Sequence, residues 1–152
     1  MNILVAAVGK AKPGTERELF DSYAVRLPWR VDVKEIEIKK ESAVDVRRAR
    51  EGEALLAAVP DGARIIALDE RGKSESSEAF AKRLGRWRDD GVRGVAFLIG
   101  GADGLDEAVR KRADAVLSFG ALTWPHMLVR ALLAEQLYRA HTILTGHPYH
   151  RT

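Results

Sequence analysis

The residues best equipped for chemistry lie in the last third of this 152-residue chain. The tail Gly146-His147-Pro148-Tyr149-His150-Arg151-Thr152 holds two of the four histidines, a tyrosine and an arginine. That is a reactive set for a segment that chain ends commonly leave frayed. A third histidine, His126, follows Pro125 at the entrance to an apolar helix, where it can cap the helix or face a ligand. His141 lies inside that helix and reads as packing or surface. His147 and His150 raise the idea of a metal site, but no cysteine exists and no carboxylate lies near them in sequence. Two isolated imidazoles are too few donors, so no metal is expected.

Two glycine turns precede the tail, each at the end of an apolar run. They are Phe97-Leu98-Ile99-Gly100-Gly101-Ala102-Asp103-Gly104-Leu105 and Leu117-Ser118-Phe119-Gly120-Ala121-Leu122-Thr123-Trp124-Pro125-His126. Glycine there lets the backbone bend sharply or approach a ligand closely. Gly100-Gly101-x-x-Gly104 does not have the spacing of a dinucleotide fingerprint, comes too late in the chain, and has no carboxylate about 20 residues on. A Walker loop and a G-x-S-x-G nucleophile elbow are also absent. Neither a nicotinamide dehydrogenase nor a serine hydrolase is indicated.

The elements that must position these residues follow from periodicity. Apolar runs predict strands over 2–8, 64–68, 94–99 and 115–117, and a more exposed strand with a phase slip over 31–38. Helical spacing predicts helices over 15–27, 44–59 (with Gly52 inside), 76–90, 106–112 and 127–144, the last stopped by Gly146 and Pro148. The last helix is apolar on more than one face, which demands burial in the fold or at a subunit contact. Strands alternating with helices give one α/β domain over residues 1–152, a mostly parallel sheet with helices on both faces. In such sheets ligands sit at the carboxyl ends of strands. Here those are Leu68-Asp69, Gly100-Gly101 and Ser118 to Pro125.

Composition sets the outer bounds. Hydrophobic content of 46% and charged content of 31% describe a folded, water-compatible chain. The opening Met1 to Gly9 lacks a basic leader and is too short to span a membrane, so a cytoplasmic location with no membrane partner is expected. The net charge of +3 is modest, yet Arg47, Arg48 and Arg50 cluster on one segment, and Lys82, Arg83, Arg86, Arg88 and Arg93 on another. These are either solvated helix faces or a surface for an anion such as RNA.

Four segments together carry a resemblance. They are Phe97-Leu98-Ile99-Gly100-Gly101-x-x-Gly104-Leu105; Leu117-Ser118-x-x-Ala121-Leu122-Thr123-x-Pro125-His126-x-Leu128-Val129-Arg130; Glu135-Gln136-Leu137-Tyr138-Arg139-Ala140; and His147-Pro148-Tyr149-His150-Arg151. In this order, over essentially the whole chain, they resemble the RlmH family of SPOUT-class ribosomal RNA large-subunit methyltransferases. The chain departs from the family pattern at Trp124, where a smaller aliphatic is common, and at Met127, where proline is frequent.

The resemblance implies a C-terminal trefoil knot, a rare exception to unknotted folding, and a homodimer. It implies S-adenosylmethionine as cofactor, held at Leu68, Gly101, Gly120, Ala121, Leu122, Thr123, Trp124 and Pro125. It further implies methylation of N3 of pseudouridine 1915 in helix 69 of 23S ribosomal RNA on the assembled ribosome. Within that implied reaction His126, His150 or Tyr149 is the base or its positioner. Arg151 then holds a phosphate or a developing anion, and Tyr149 alternatively stacks on the target base. The expected arrangement has the tail of one subunit completing the pocket of the other. A non-catalytic RNA-binding module is the rival; it accounts for the basic patches but leaves the two glycine loops without a purpose.

Overall fold

Among the described residues, five segments become parallel strands and five become helices laid across both faces of the resulting sheet. The structure is a computed structural model and describes residues 1–39 and 41–152. In chain order the elements are β1 (Asn2–Val8), α1 (Thr15–Ala24), β2 (Arg30–Ile36), α2 (Val44–Ala57), β3 (Arg64–Ser74), α3 (Ser77–Asp89), β4 (Gly94–Ile99), α4 (Glu107–Arg112), β5 (Ala115–Ser118) and α5 (His126–Thr145). The strand order is β2-β1-β4-β3-β5, and each pairing is parallel. The expected α/β class with a parallel sheet holds.

Central strands β1 and β4 are buried almost end to end, as strands covered on both faces must be. β2 is an edge strand in which only Ile36 is buried, which accounts for its broken alternation. On one face α1, α3 and α5 bring Phe20, Phe80, Leu84, Leu133 and Leu137 onto Val5 and Phe97. On the other, α2 and α4 bring Leu55 and Val109 onto Ala67 and Leu98. The two residue sets alternate along each strand, the period of two that extended backbone imposes.

The apolar character of α5 is explained within one chain. It packs between α1 and α3 on the sheet, and no residue from His126 to Leu144 is exposed. Its C-terminus is closed by Gly146 in the left-handed region at φ 74°, with His147 N–H donating to Thr142 O at 3.0 Å. At the start of α3, Ser76 Oγ accepts from Ala79 N–H at 3.1 Å and caps the helix.

Two expectations need correction. The first helix stops at Ala24 rather than Leu27, because Pro28 disfavours helical backbone at the residue before it. The chain closes instead through tighter bonds from Arg26 N–H to Tyr23 O and Leu27 N–H to Ala24 O, both 3.1 Å. The third strand runs on to Ser74 rather than ending at Leu68. Leu117 of β5 pairs with both Leu68 and Lys73 across a register shift. Gly72 makes this possible: a Cβ there would lie 2.5 Å from Val116 O.

Candidate functional site

The middle of β3, from Leu68 to Arg71, and the carboxyl ends of β4 and β5 open into one cleft of about 530 Å³. Its walls are the two glycine loops. In the first, Gly104 N–H donates to Gly101 O at 3.0 Å and closes a tight turn. A Cβ on Gly100 would lie 2.7 Å from the carbonyl carbon of Gly104, so no side chain fits there. A Cβ on Gly101 would meet Val8 Cγ1 at 2.9 Å and Glu51 Oε2 at 3.4 Å.

The first loop is fastened from behind by α2. Arg47 donates to Asp103 Oδ2 from Nε at 3.2 Å and from Nη2 at 2.5 Å, and Arg48 Nε donates to Asp103 O at 3.0 Å. Two arginines considered for an anionic partner therefore hold a cleft wall. Arg50 pairs with Glu41, Arg83 with Glu75 and Arg88 with Asp89, so much of the basic surface is internally matched. Glu51 is buried behind Gly101, and that burial pushes its carboxyl above the ordinary carboxylate range despite the nearby Arg47 and Arg48.

The second loop is fixed by Ser118. Its buried Oγ donates to Gly120 O at 2.9 Å and accepts from Gly120 N–H at 3.1 Å. Gly120 sits at φ 113°, which an L side chain resists. Trp124 Nε1 donates back to Phe119 O at 3.3 Å.

Of the sequence-derived ligand residues, Leu68, Gly101, Gly120, Thr123, Trp124 and Pro125 line this cleft, and so does His126. Ala121 and Leu122 do not; both are exposed at the loop tip, Leu122 to 72%. Asp69, one of the strand-end positions, also lines it, and so do Glu70, Arg71 and Asp103, which sequence reasoning missed. Asp69 is a buried acid whose Oδ1 accepts from Arg71 N–H at 2.8 Å. The strand-end rule pointed at Leu68-Asp69; the continuation of β3 hid the rest.

The tail is elsewhere in the protomer. Tyr149 packs edge-on against Tyr138 at 4.8 Å and donates from its hydroxyl to Glu135 Oε1 at 2.9 Å. Burial, reinforced by hydrogen bonds with Tyr23 and Glu135, raises the phenol well above its ordinary range. His150 bridges Arg139 through Nδ1 at 3.1 Å and Glu78 through Nε2 at 2.8 Å. Arg139 in turn clasps Glu135 at 3.0 and 2.6 Å. Arg151 is exposed. Glu135 and Arg139 follow His126 by nine and thirteen residues on α5, or about 14 and 20 Å along its axis. Tyr149, His150 and Arg151 therefore do not meet His126 within one chain. Among the described residues no three His, Asp or Glu side chains gather as a metal site, and no helix is long and apolar enough to cross a membrane.

A family model described as a predicted SPOUT methyltransferase matches residues 1–150. Among curated proteins, the chain is 61% identical over 151 residues to a ribosomal RNA large subunit methyltransferase H of Paramagnetospirillum magneticum. It is 58% identical over 151 residues to the protein of that name from Rhodospirillum centenum; each alignment covers 99% of both chains. Among solved structures it resembles the SpoU methyltransferase AviRb from Streptomyces viridochromogenes, crystallised with AdoMet. The TM-score is 0.51 at 14% identity, covering 92% of this chain and 58% of that one, a likeness of fold alone.

Proposed function

The chain belongs to the RlmH family of SPOUT methyltransferases, and from that premise we propose that it transfers the methyl group of S-adenosylmethionine to large-subunit ribosomal RNA. The finer reading is transfer to N3 of pseudouridine in helix 69 of 23S rRNA, on the assembled ribosome, by a cytoplasmic homodimer whose glycine loops belong to a trefoil knot. The observation that carries the reading is the cleft between the middle of β3 and the ends of β4 and β5, walled by glycine loops and edged by His126.

The residues fit such a cofactor. The cleft volume of about 530 Å³ lies within the roughly 300–1,000 Å³ usual for small-ligand sites. Gly100 and Gly101 pack without side chains against Gly104, Val8 and Glu51, so the wall offered to an adenine and ribose is made of main chain. Asp69 and Glu70 can accept from hydroxyls. The cofactor supplies a methyl carbon already activated for displacement, so the protein's work is alignment and proton removal.

Alignment falls to the two fastened loops. Holding donor and acceptor in line is worth on the order of 7–11 kcal/mol in favourable cases. The imide N3–H must lose its proton as the N3 lone pair forms the new N–C bond. S-adenosylmethionine, when bound, would supply the methyl carbon, its sulfur keeping the electron pair of the broken S–C bond. His126, which lines the cleft beside Pro125, takes that proton or orients the group that does. Tyr149, His150 and Arg151 reach the acceptor from the partner subunit. The raised phenol of Tyr149 suits it to hydrogen bonding and stacking rather than to acting as the base.

The test uses ribosomes from cells lacking the gene. Incubation with the purified protein and labelled S-adenosylmethionine should place one methyl on helix 69, read by mass spectrometry of 23S rRNA fragments. Label on protein, on another RNA or nowhere overturns the reading.

A further inference from the structure

A second cleft, of about 560 Å³, opens on the other side of the α5 entrance. Lys10, Lys12 and Arg17 line it together with Phe20, Met127 and Arg130. The partition between the clefts is thin. A Cβ on Gly9 would lie 3.3 Å from Met127 Cε and 3.5 Å from His126 Nε2. Met127 lines this cleft and His126 lines the first.

This second cleft is built rather than incidental. Arg130 is 5% exposed and donates from Nη1 to Glu35 Oε2 at 2.7 Å and from Nη2 to Gly9 O at 2.9 Å. Glu35 Oε2 also accepts from Ala11 N–H at 2.6 Å. The loop that carries Lys10 and Lys12 is thereby tied down at Gly9 and at Ala11.

The remaining charges favour an oxyanion. Glu35 is neutralised by Arg130 and the Ala11 amide, which hold its carboxyl below the ordinary range although burial opposes them. Glu16 and Asp21 also line the cleft, against the free ammonium groups of Lys10 and Lys12 and the guanidinium of Arg17. α1 begins here without a side-chain cap, leaving its first amides without intrahelical acceptors and its positive dipole end toward the same space.

We propose that this cleft seats a phosphate group of the RNA strand beside the methyl-accepting nucleotide, with Lys10, Lys12 and Arg17 around it and Arg130 holding from beneath the loop that carries the two lysines. Rested on the RNA-methylation reading, the arrangement divides labour across Gly9: cofactor on the His126 side, strand backbone on the Met127 side. A phosphate held here fixes where the next base enters the rim of the first cleft, which is how backbone contacts set register.

The experiment pairs the wild-type dimer with the exposed double variant Lys12→Ala/Arg17→Ala. Affinity for purified large subunits is measured across a salt series, with methyl-transfer kinetics alongside. The variant should bind S-adenosylhomocysteine as wild type does, showing an intact first cleft. Its plot of log affinity against log salt should flatten by roughly 1 to 2. KM for the RNA should rise about tenfold with kcat held within about twofold. An unchanged salt slope and KM overturn the proposal. Calorimetry with inorganic phosphate alone separates the sources: phosphate binding lost in the variant with an unchanged RNA slope means a small-anion site and overturns the RNA assignment. If wild type methylates no ribosomal RNA, the functional reading falls, while the salt slope still decides the cleft.

Discussion

His126 occupies the first position of α5, where a helix still has unsatisfied amides and a side chain can turn outward. Pro125 before it cannot be helical in the same sense and directs the chain out of the second glycine loop into the helix. The imidazole therefore lies at the edge of the first cleft, with Gly9 pressed against its Nε2 side. His126→Ala should lower kcat by about 10²–10⁴ if it moves or places the proton. Calorimetric affinity for S-adenosylhomocysteine should barely change. Equal kcat in the variant would remove His126 from the reaction.

Glu51 makes a different prediction at the same scale. Its carboxyl is buried behind Gly101 and titrates above the ordinary value, so the folded chain holds that proton more tightly than the unfolded chain does. The sign follows directly. Stability from this group is full below the unfolded pKa and is lost as pH rises through the folded one. Glu51→Gln removes the ionisation and should raise the urea midpoint at pH 7, with the gain vanishing near pH 4, close to an unperturbed glutamate's value of about 4.3. A pH-independent difference between the two proteins contradicts the assignment.

Among the elements, β3 decides whether the cleft has a wall. Its continuation past Leu68 lays Gly72 against the backbone of Val116 and Leu117. Gly72→Ala forces a Cβ into a carbonyl that cannot retreat without dragging β5. A destabilisation of about 1–3 kcal/mol is expected from overpacking of this kind, and with it loss of S-adenosylhomocysteine binding. Gly100→Ala acts more locally, because the clash is with Gly104 in the same turn. It should spare the melting temperature more than the cofactor affinity, and thermal unfolding run beside calorimetry separates the two variants.

These positions show what periodicity can and cannot read. Strands β1, β4 and β5 and helices α3 and α5 were visible because burial writes apolar residues at fixed spacing, and Ser76 and Gly146 mark their ends chemically. The overshoot of β3 was hidden because Asp69 to Ser74 is polar and its pairing partner lies more than 40 positions on. The same holds for the fastenings of the cleft. Arg47 reaches Asp103 across 56 positions and Arg130 reaches Glu35 across 95, so side chains that looked like solvated charge are ties between distant segments. Glycine loops and the strand-end rule located most of the cleft, while Ala121 and Leu122 fell outside it because a loop tip projects where its flanks do not.

At the scale of the molecule, the tail and His126 belong to different ends of α5, and one chain cannot bring them together without unpicking the Tyr149–Glu135 and His150–Glu78 bonds. A two-fold dimer can, since an antiparallel copy sets the far end of one α5 beside the near end of the other. The arrangement predicts complementation between two dead proteins. His126→Ala keeps its tail, and a chain truncated before Tyr149 keeps its histidine. Co-refolded in equal amounts, half of the dimers are mixed, and each mixed dimer carries one site with both the histidine and a tail. Activity should return to about a quarter of wild type, while each variant alone stays inactive. If both groups served the same subunit's cleft, no mixed dimer would hold an intact site and the mixture would stay as inactive as its parts. Recovery on mixing is therefore diagnostic of exchange between subunits, and the size of the recovery counts the sites that are shared.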